Sequence, residues 1–173
     1  MAELKEGYNE IGIVSDTHGK MRPEILAHLA HCDAIIHAGD VGHPSVLSWL
    51  RTIAPVYAVR GNVDRGAWAT ELPEILDFEN LNRHIRVIHQ VDQLEGATSG
   101  ETPHLVVSGH SHRPSCTRRA GVIYLNPGSI GPRRFKLPIA WATVSFDQDQ
   151  LFVRAFRIDG ALIDEVDPWS HRS

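Results

Sequence analysis

Over the first sixty residues the apolar positions come in short blocks, each closed by a polar turn. Glu10 to Ser15 (EIGIVS) is short and β-branched and reads as a buried strand. Pro23 to Cys32 opens with proline and places Ile25, Leu26, Leu29 and Ala30 at helical spacing, so a helix is expected there. Ala34 to Ala38 is a second apolar block, Pro44 to Ile53 a second proline-opened helix, and Val56 to Val59 a third strand. This β-α-β-α-β order predicts parallel strands joined by right-handed crossovers.

The second half changes character. Ile85 to His89, Leu105 to Ser108 and Val122 to Leu125 read as short strands, the last closed by the turn residues Asn126-Pro127-Gly128. Ile139 to Phe146 and Leu151 to Ile158 flank Asp147 to Gln150 as the arms of a hairpin, so the second sheet is expected to be partly antiparallel. Gly66 to Asn80 and Val91 to Pro103, including the polar stretch Glu95 to Pro103, read as loops. Residues 1–9 and 164–173 read as loose ends of one domain covering 1–173.

Composition adds little to this pattern until the histidines are counted. The 173 residues carry 42% hydrophobic and 22% charged side chains, enough for a core without disulfides. A formal charge of -4 gives no basis for a broad nucleic-acid or membrane surface. Cys32 and Cys116 form no C-x-x-C pair and fit a reducing compartment. With no apolar leader and no run long enough to span a bilayer, a cytoplasmic location is expected. There are 11 histidines, and histidine is the commonest neutral-nitrogen metal ligand. His28, His31 and His171 read as surface scatter, and His84 and His104 as strand starts.

The remaining polar residues gather at strand ends. The first three strands run into Ser15-Asp16-Thr17-His18, Gly39-Asp40 and Gly61-Asn62-Val63-Asp64. Ligands in open α/β sheets collect beyond the carboxyl ends of parallel strands, so Asp16, Asp40 and Asn62 are expected in one region. His89, and His110 with His112 in Gly109-His110-Ser111-His112, follow later strands in the same way. In an extended segment alternate side chains point alike, which would aim both members of Asp16/His18 and of His110/His112 at one site. The preceding glycines would let the backbone turn. Asp16 and Asp40 also suit helix N-caps. Two carboxylates, one amide oxygen and four imidazoles exceed one tetrahedral ion. They suit two divalent ions with Asp40 between them, and the remaining positive charge would hold a phosphate and a bridging hydroxide. Mixed N/O ligands fit Mn, Ni, Fe, Zn or Co.

In this order D-x-H, G-D, G-N-x-D, an isolated His and G-H-x-H resemble the calcineurin-like metallophosphoesterase superfamily. The small single-domain branch typified by YfcE, with Vps29 as a relative, is the nearest in pattern, and Asn126-Pro127-Gly128-Ser129 matches a turn of that branch. The resemblance spans about Ile11 to Ile158. It implies an α/β sandwich of two mixed β-sheets flanked by helices. It implies Asp16, His18, Asp40 and His112 on one ion and Asp40, Asn62, His89 and His110 on the other, with Mn2+ first among the metals. Asp16, His18, Asp40, Asn62 and His110 would carry the catalytic work on a small phosphate-ester substrate, a diester before a monoester. The relation to Vps29 also admits a protein-interaction scaffold, and a homo-oligomer stays open.

Two positions depart from the superfamily pattern. Val63 stands where a histidine often follows the G-N asparagine and is thought to protonate the leaving group, so activated aryl esters should be favoured. His89 is followed by Gln90-Val91 rather than lying in an H-G-H string. His37 reads as core or as support behind the ligands, while His43, beside Asp40, has no expected role. Arg65, Arg133 and Arg134 are either solvated or contacts to phosphate.

Overall fold

The computed structural model describes residues 7–96, 101–147 and 150–166. The chain runs β1 (Glu10–Val14), α1 (Pro23–Leu29), β2 (Ala34–His37), α2 (Pro44–Leu50), β3 (Val56–Ala58), α3 (Ala67–Thr70), β4 (Ile75–Asn80) and β5 (Arg83–Ile88). A 3-10 turn (Val91–Gly96) leads to β6 (Leu105–Val107), β7 (Ser115–Arg119), β8 (Val122–Asn126), β9 (Ala140–Asp147), β10 (Gln150–Arg157) and β11 (Leu162–Val166).

Two mixed sheets face each other. The first has the order β11-β10-β9-β1-β2-β3, the second β4-β5-β6-β8-β7. β1, β2 and β3 are parallel, with Ile13 opposite Ile36 and Ile36 opposite Tyr57. The hairpin expected in the second sheet lies in the first instead: β9 joins β1 antiparallel and pairs with β10; residues 148–149 lie outside the described residues. Inward side chains of both sheets form the central core, among them Ile11, Ile13, Ile36, Ile85, Val87, Leu105, Leu125 and Val144. Each such buried aliphatic side chain is worth about 1.5–3 kcal/mol of transfer from water.

The helices do not flank both sheets. Ile25 and Leu29 of α1 and Val46, Leu47 and Leu50 of α2 are inside, Trp68 of α3 and Leu72 are partly so, and these residues pack in one cluster with Val14 and Ile35 on the outer face of the first sheet. The outer face of the second sheet carries Ile88, Val106 and Val122, against which Leu94 of the 3-10 turn packs. α1 lies so close over β1 that a Cβ on Gly12 would meet Leu29 Cδ2 at 2.4 Å, which explains a glycine inside an otherwise branched strand.

The expected strands are present within two residues at each end, the usual scatter of element boundaries. Both helices end three residues early, at Leu29 and Leu50. Four further expectations are corrected. Gly66 to Asn80 is not a loop, because α3 and β4 occupy most of it. Ser115–Arg119 forms β7, which the sequence pattern did not announce. The supposed tail begins as β11, paired with β10, although 167–173, with His171, lie outside the described residues. Residues 1–6 also lie outside them, but Tyr8 is tied down: its N–H donates to Asn80 Oδ1 at 2.8 Å and Asn80 Nδ2 donates to Tyr8 O at 2.9 Å.

Candidate metal centre

The ends of β1, β2, β3, β5 and β6 converge, and with them all seven candidate ligands. They form two groups. Asp16, His18 and His112 offer ligand atoms within 4.8 Å of one another, and so do Asp40, His89 and His110. Asn62 joins the second group, its Oδ1 lying 3.1 Å from His89 Nε2 and 3.0 Å from His110 Nδ1. Asp40 sits between the groups, with Oδ1 3.3 Å from His89 Nε2 and Oδ2 3.9 Å from His18 Nε2.

The local backbone explains how so many ligands fit. Asp16, His18, Asp40, His110 and His112 all have positive φ, between 47° and 68°. The left-handed region is costly for residues with a Cβ and collects where surrounding structure enforces it. His110 and His112 are therefore not in an extended segment, and the pair does not point alike: His110 turns to the second group and His112 to the first. Gly39 has φ +92°, as a turn requires, but Gly61 and Gly109 serve close approach. A Cβ on Gly109 would lie 2.1 Å from Ser15 Oγ and 2.7 Å from Asp16 Oδ2.

Fixed partners aim the ligands. Asp16 Oδ2 accepts from Ser15 Oγ at 2.6 Å and from the His110 N–H at 3.1 Å. That leaves Oδ1 buried, 3.2 Å from His112 Nε2 yet with no hydrogen-bond partner among the described residues. Oδ1 and two imidazole nitrogens 3.1 Å apart, those of His18 and His112, thus face one space. In the second group His89 Nδ1–H donates to Ala38 O at 2.7 Å, a tautomer assigned from its partner. Its Nε2 lone pair then meets the oxygens of Asn62 and Asp40. Acceptors converging in this way need a cation, so the residues present fit divalent ions in both groups.

The protonation tendencies follow the same arrangement. Burial dominates at His18 and lowers its pKa, against the pull of Asp40 and Asp16, with His112 and Arg134 adding to the lowering. Burial also pushes His89 down, but the Asp40 carboxylate and the Ala38 carbonyl outweigh it and hold the imidazole above its ordinary value. A proton on Nε2 is the smallest cation that answers those oxygens. Burial pushes Asp40 up, while hydrogen bonds from His89 and the Val63 N–H, with the charges of His89 and His18, hold it below the usual carboxylate range.

Several supporting residues were given no role by the sequence reading. Asp64 accepts from the N–H groups of Gly61, Gly42 and Val41 at 2.8, 2.7 and 3.2 Å, joining the loops after β2 and β3. Asn126 Nδ2 donates to Gly109 O at 2.6 Å, and Ser129 Oγ donates to Asp16 O at 2.9 Å, so the Asn-Pro-Gly-Ser turn holds both H-x-H and D-x-H loops. Both Asp64, in the G-N-x-D motif, and this turn belong to the pattern shared with the superfamily, which was the available signal. Gln90 Nε2 lies 3.3 Å from Asn62 Oδ1 and had no such signal. His37 is fully buried. The Gly39 N–H donates to its Nδ1 at 3.2 Å, and Nε2–H donates to Thr17 Oγ1 at 2.9 Å. His43, not Asp40, caps α2, its side chain accepting from Ser45 N. Neither Asp16 nor Asp40 is a helix cap, since Arg22 precedes α1.

Two open clefts border the centre. One of about 660 Å³ is lined by Arg60, Asn62, Arg65, His89 and Gln90. The other, of about 520 Å³, runs past His110, Ser111, Thr117 and Tyr124. Arg133 Nε is turned back to Leu137 O at 3.2 Å, whereas Arg134 Nη2 reaches 3.5 Å from His18 Nε2.

Residues 10–149 match the calcineurin-like phosphoesterase superfamily domain. A protein of Methanothermobacter thermautotrophicus named "Probable metallophosphoesterase" is 32% identical over 170 residues, 89% of this chain and 88% of its own length. Among solved structures, YfcE, a phosphoesterase from E. coli, aligns with a TM-score of 0.71 at 20% identity, covering 91% of this chain and 98% of that one. Vps29 of Entamoeba histolytica, solved with Zn2+, aligns at 0.74 and 20% identity, with 91% and 98% covered. The two-sheet sandwich is the fold of these proteins.

Proposed function

This chain belongs to the calcineurin-like phosphoesterase superfamily, and from that premise we propose that it is a two-metal phosphodiesterase. Asp16, His18, His112 and Asp40 would hold the first divalent ion, and Asp40, Asn62, His89 and His110 would hold the second. The observation that carries this is the position of Asp40, one oxygen toward each group. Divalent ions bound there supply a water-derived nucleophile at neutral pH and Lewis-acid stabilisation of the phosphoryl oxygens.

The chain's own residues do the rest. Asp16 and Asp40 bring two negative charges against the four of two ions, leaving the site attractive to a phosphate anion. His89 is locked in the metal-binding tautomer by Ala38. Val63 leaves the usual position of a leaving-group acid without a proton donor; its exposed side chain faces no such task and its N–H is engaged by Asp40 Oδ1 at 3.0 Å. Esters with good leaving groups are therefore the preferred substrates in vitro.

Mn2+ is the metal we assign first, with Ni2+, Fe2+, Zn2+ and Co2+ as competitors, and the cytoplasm as the compartment. No helix of the described residues is long and apolar enough to cross a membrane. The test is turnover of bis(p-nitrophenyl) phosphate and of p-nitrophenyl phosphate with each metal, before and after chelation. Chelator-sensitive turnover with diester ahead of monoester is expected. Monoester ahead of diester reassigns the chain as a monoesterase. No turnover with any of the five metals favours a scaffold role, the reading that the shared fold with Vps29 supports.

A further inference from the structure

Resting on the phosphoesterase reading, we propose that the loop 131–138 selects the substrate: Arg134 grips the phosphate and Phe135 stacks on a planar aromatic group carried close to the phosphorus. The root of the loop is rigid. Arg22 donates to Ile130 O and Gly131 O, both at 3.0 Å, and Gly131 N donates to Ser129 Oγ at 3.1 Å. Gly131 presses so closely on the D-x-H loop that a Cβ there would lie 2.3 Å from Asp16 O. The tip is closed on itself by Leu137 N donating to Arg134 O at 3.1 Å and by the Arg133 bond to Leu137 O. It is thus fixed relative to Asp16 and His18.

What that fixed tip presents has no use inside the fold. Phe135 is 94% exposed, the most exposed large apolar side chain among the described residues, and holds φ +52°. A single exposed aromatic is ordinary. One kept in a costly backbone conformation beside Arg134 at a candidate active site is not. Among the described residues no carboxylate lies within ion-pair distance of Arg134, and its contact is His18 Nε2 at 3.5 Å. Were that lone pair given to an ion, Arg134 Nη2 would lose this acceptor and be free for an anion held at the site. A planar fork suits phosphate oxygens, and an aromatic face one residue on suits a flat group attached to that phosphate. In a chain of net charge -4, Arg133, Arg134 and Lys136 also concentrate positive charge at this rim.

The test is calorimetric titration of Mn2+-loaded protein with inorganic phosphate, methylphosphonate and phenylphosphonate, none of which has an ester bond to cleave. Wild type is expected to bind phenylphosphonate about five- to tenfold more tightly than methylphosphonate. Phe135→Ala should erase that preference and leave inorganic phosphate unchanged. Arg134→Gln should weaken all three about tenfold, with Arg134→Lys recovering part. Both side chains are exposed, so folding is not at stake. Equal binding of the two phosphonates by wild type, or a phenyl preference surviving Phe135→Ala, overturns the proposal while the phosphoesterase reading stands. Phosphate binding untouched by Arg134→Gln does the same. If Phe135→Ala instead dissolves an oligomer and leaves the preference intact, Phe135 is a contact between copies and the proposal falls. Should metal-loaded wild type bind none of the three ligands, the phosphoesterase reading falls and takes this inference with it.

Discussion

The two ligand groups are built from the same residue types but held differently. In the Asp40 group, His89 is fixed from behind: Ala38 O takes its Nδ1 proton, so its ligand nitrogen is set before any ion arrives. In the Asp16 group, His112 is at least as buried, yet its Nδ1 has no hydrogen-bond partner among the described residues. There it is Asp16 that is fixed, by Ser15 Oγ and the His110 N–H. In the Asp40 group the imidazole is fixed as well as the carboxylate, whose Oδ1 accepts from the Val63 N–H at 3.0 Å, whereas in the Asp16 group the carboxylate is fixed and the His112 Nδ1 is not. Burial differs too: Asp16 and His112 are inside and His18 is partly covered, whereas His110 stands open to solvent. The lesson is that two halves of one centre reach preorganisation by separate routes, and should lose it to separate substitutions.

Asp40 lies between the two groups, with Oδ1 toward His89 and Oδ2 toward His18, and is the ligand we propose both ions would share, so the largest effect is expected there. Asp40→Ala should strip both ions, seen by elemental analysis, and lower diester turnover by more than about a thousandfold, since metal assistance is worth several kcal/mol. Turnover near wild type in metal-loaded Asp40→Ala would end the shared-ligand reading.

The loops that carry the two groups are joined by His37, through Thr17 on one side and Gly39 on the other. Burial pushes this imidazole down to about 4, from an ordinary value near 6.5. The folded state therefore resists a proton that the unfolded chain accepts. The contribution is complete above about pH 6.5 and is lost as pH falls toward 4, for a total of about 3 kcal/mol. Urea midpoints of chelator-treated wild type should drop across that window more steeply than those of His37→Gln. Parallel slopes would show that His37 does not couple the loops.

The asymmetry itself is sharpened by paired substitutions. Asp16→Asn should cost one ion per chain from the first group while His89→Ala costs one from the second, and each remaining ion should still be countable. Loss of both ions in either variant would mean the halves are not independent. Asp64→Ala frees three N–H groups at the junction of the loops after β2 and β3. It should lower metal affinity by about tenfold, in the range of outer-shell ligand support, and stability by about 2 kcal/mol. An effect on stability alone would make Asp64 a fold residue only.

What was legible in the sequence follows a physical rule. β1, β2, β5, β6 and β8 bury most of their side chains and so announce themselves as apolar runs. The strands that escaped notice, β4, β7 and β11, are all sheet edges. β4 is held partly by pairing across the sheet, where the Arg86 guanidinium donates to Asp77 at 2.7 and 3.0 Å. Such an edge carries charge rather than an apolar signal.

The ligand types and their places after strands were fixed by the sequence, because βαβ topology brings carboxyl ends of parallel strands to one region. Which ligand joins which group came only from the family resemblance and not from the strand pattern, because it depends on backbone torsion. Left-handed turns at His110 and His112 send neighbours in an H-x-H string to opposite halves. The contacts that hold this string come from Asn126, 17 positions from Gly109, and from Asp16 Oδ2, which accepts the His110 N–H from 94 positions away. A period-2 argument assumes an extended chain, and only the packed loops decide whether it is one.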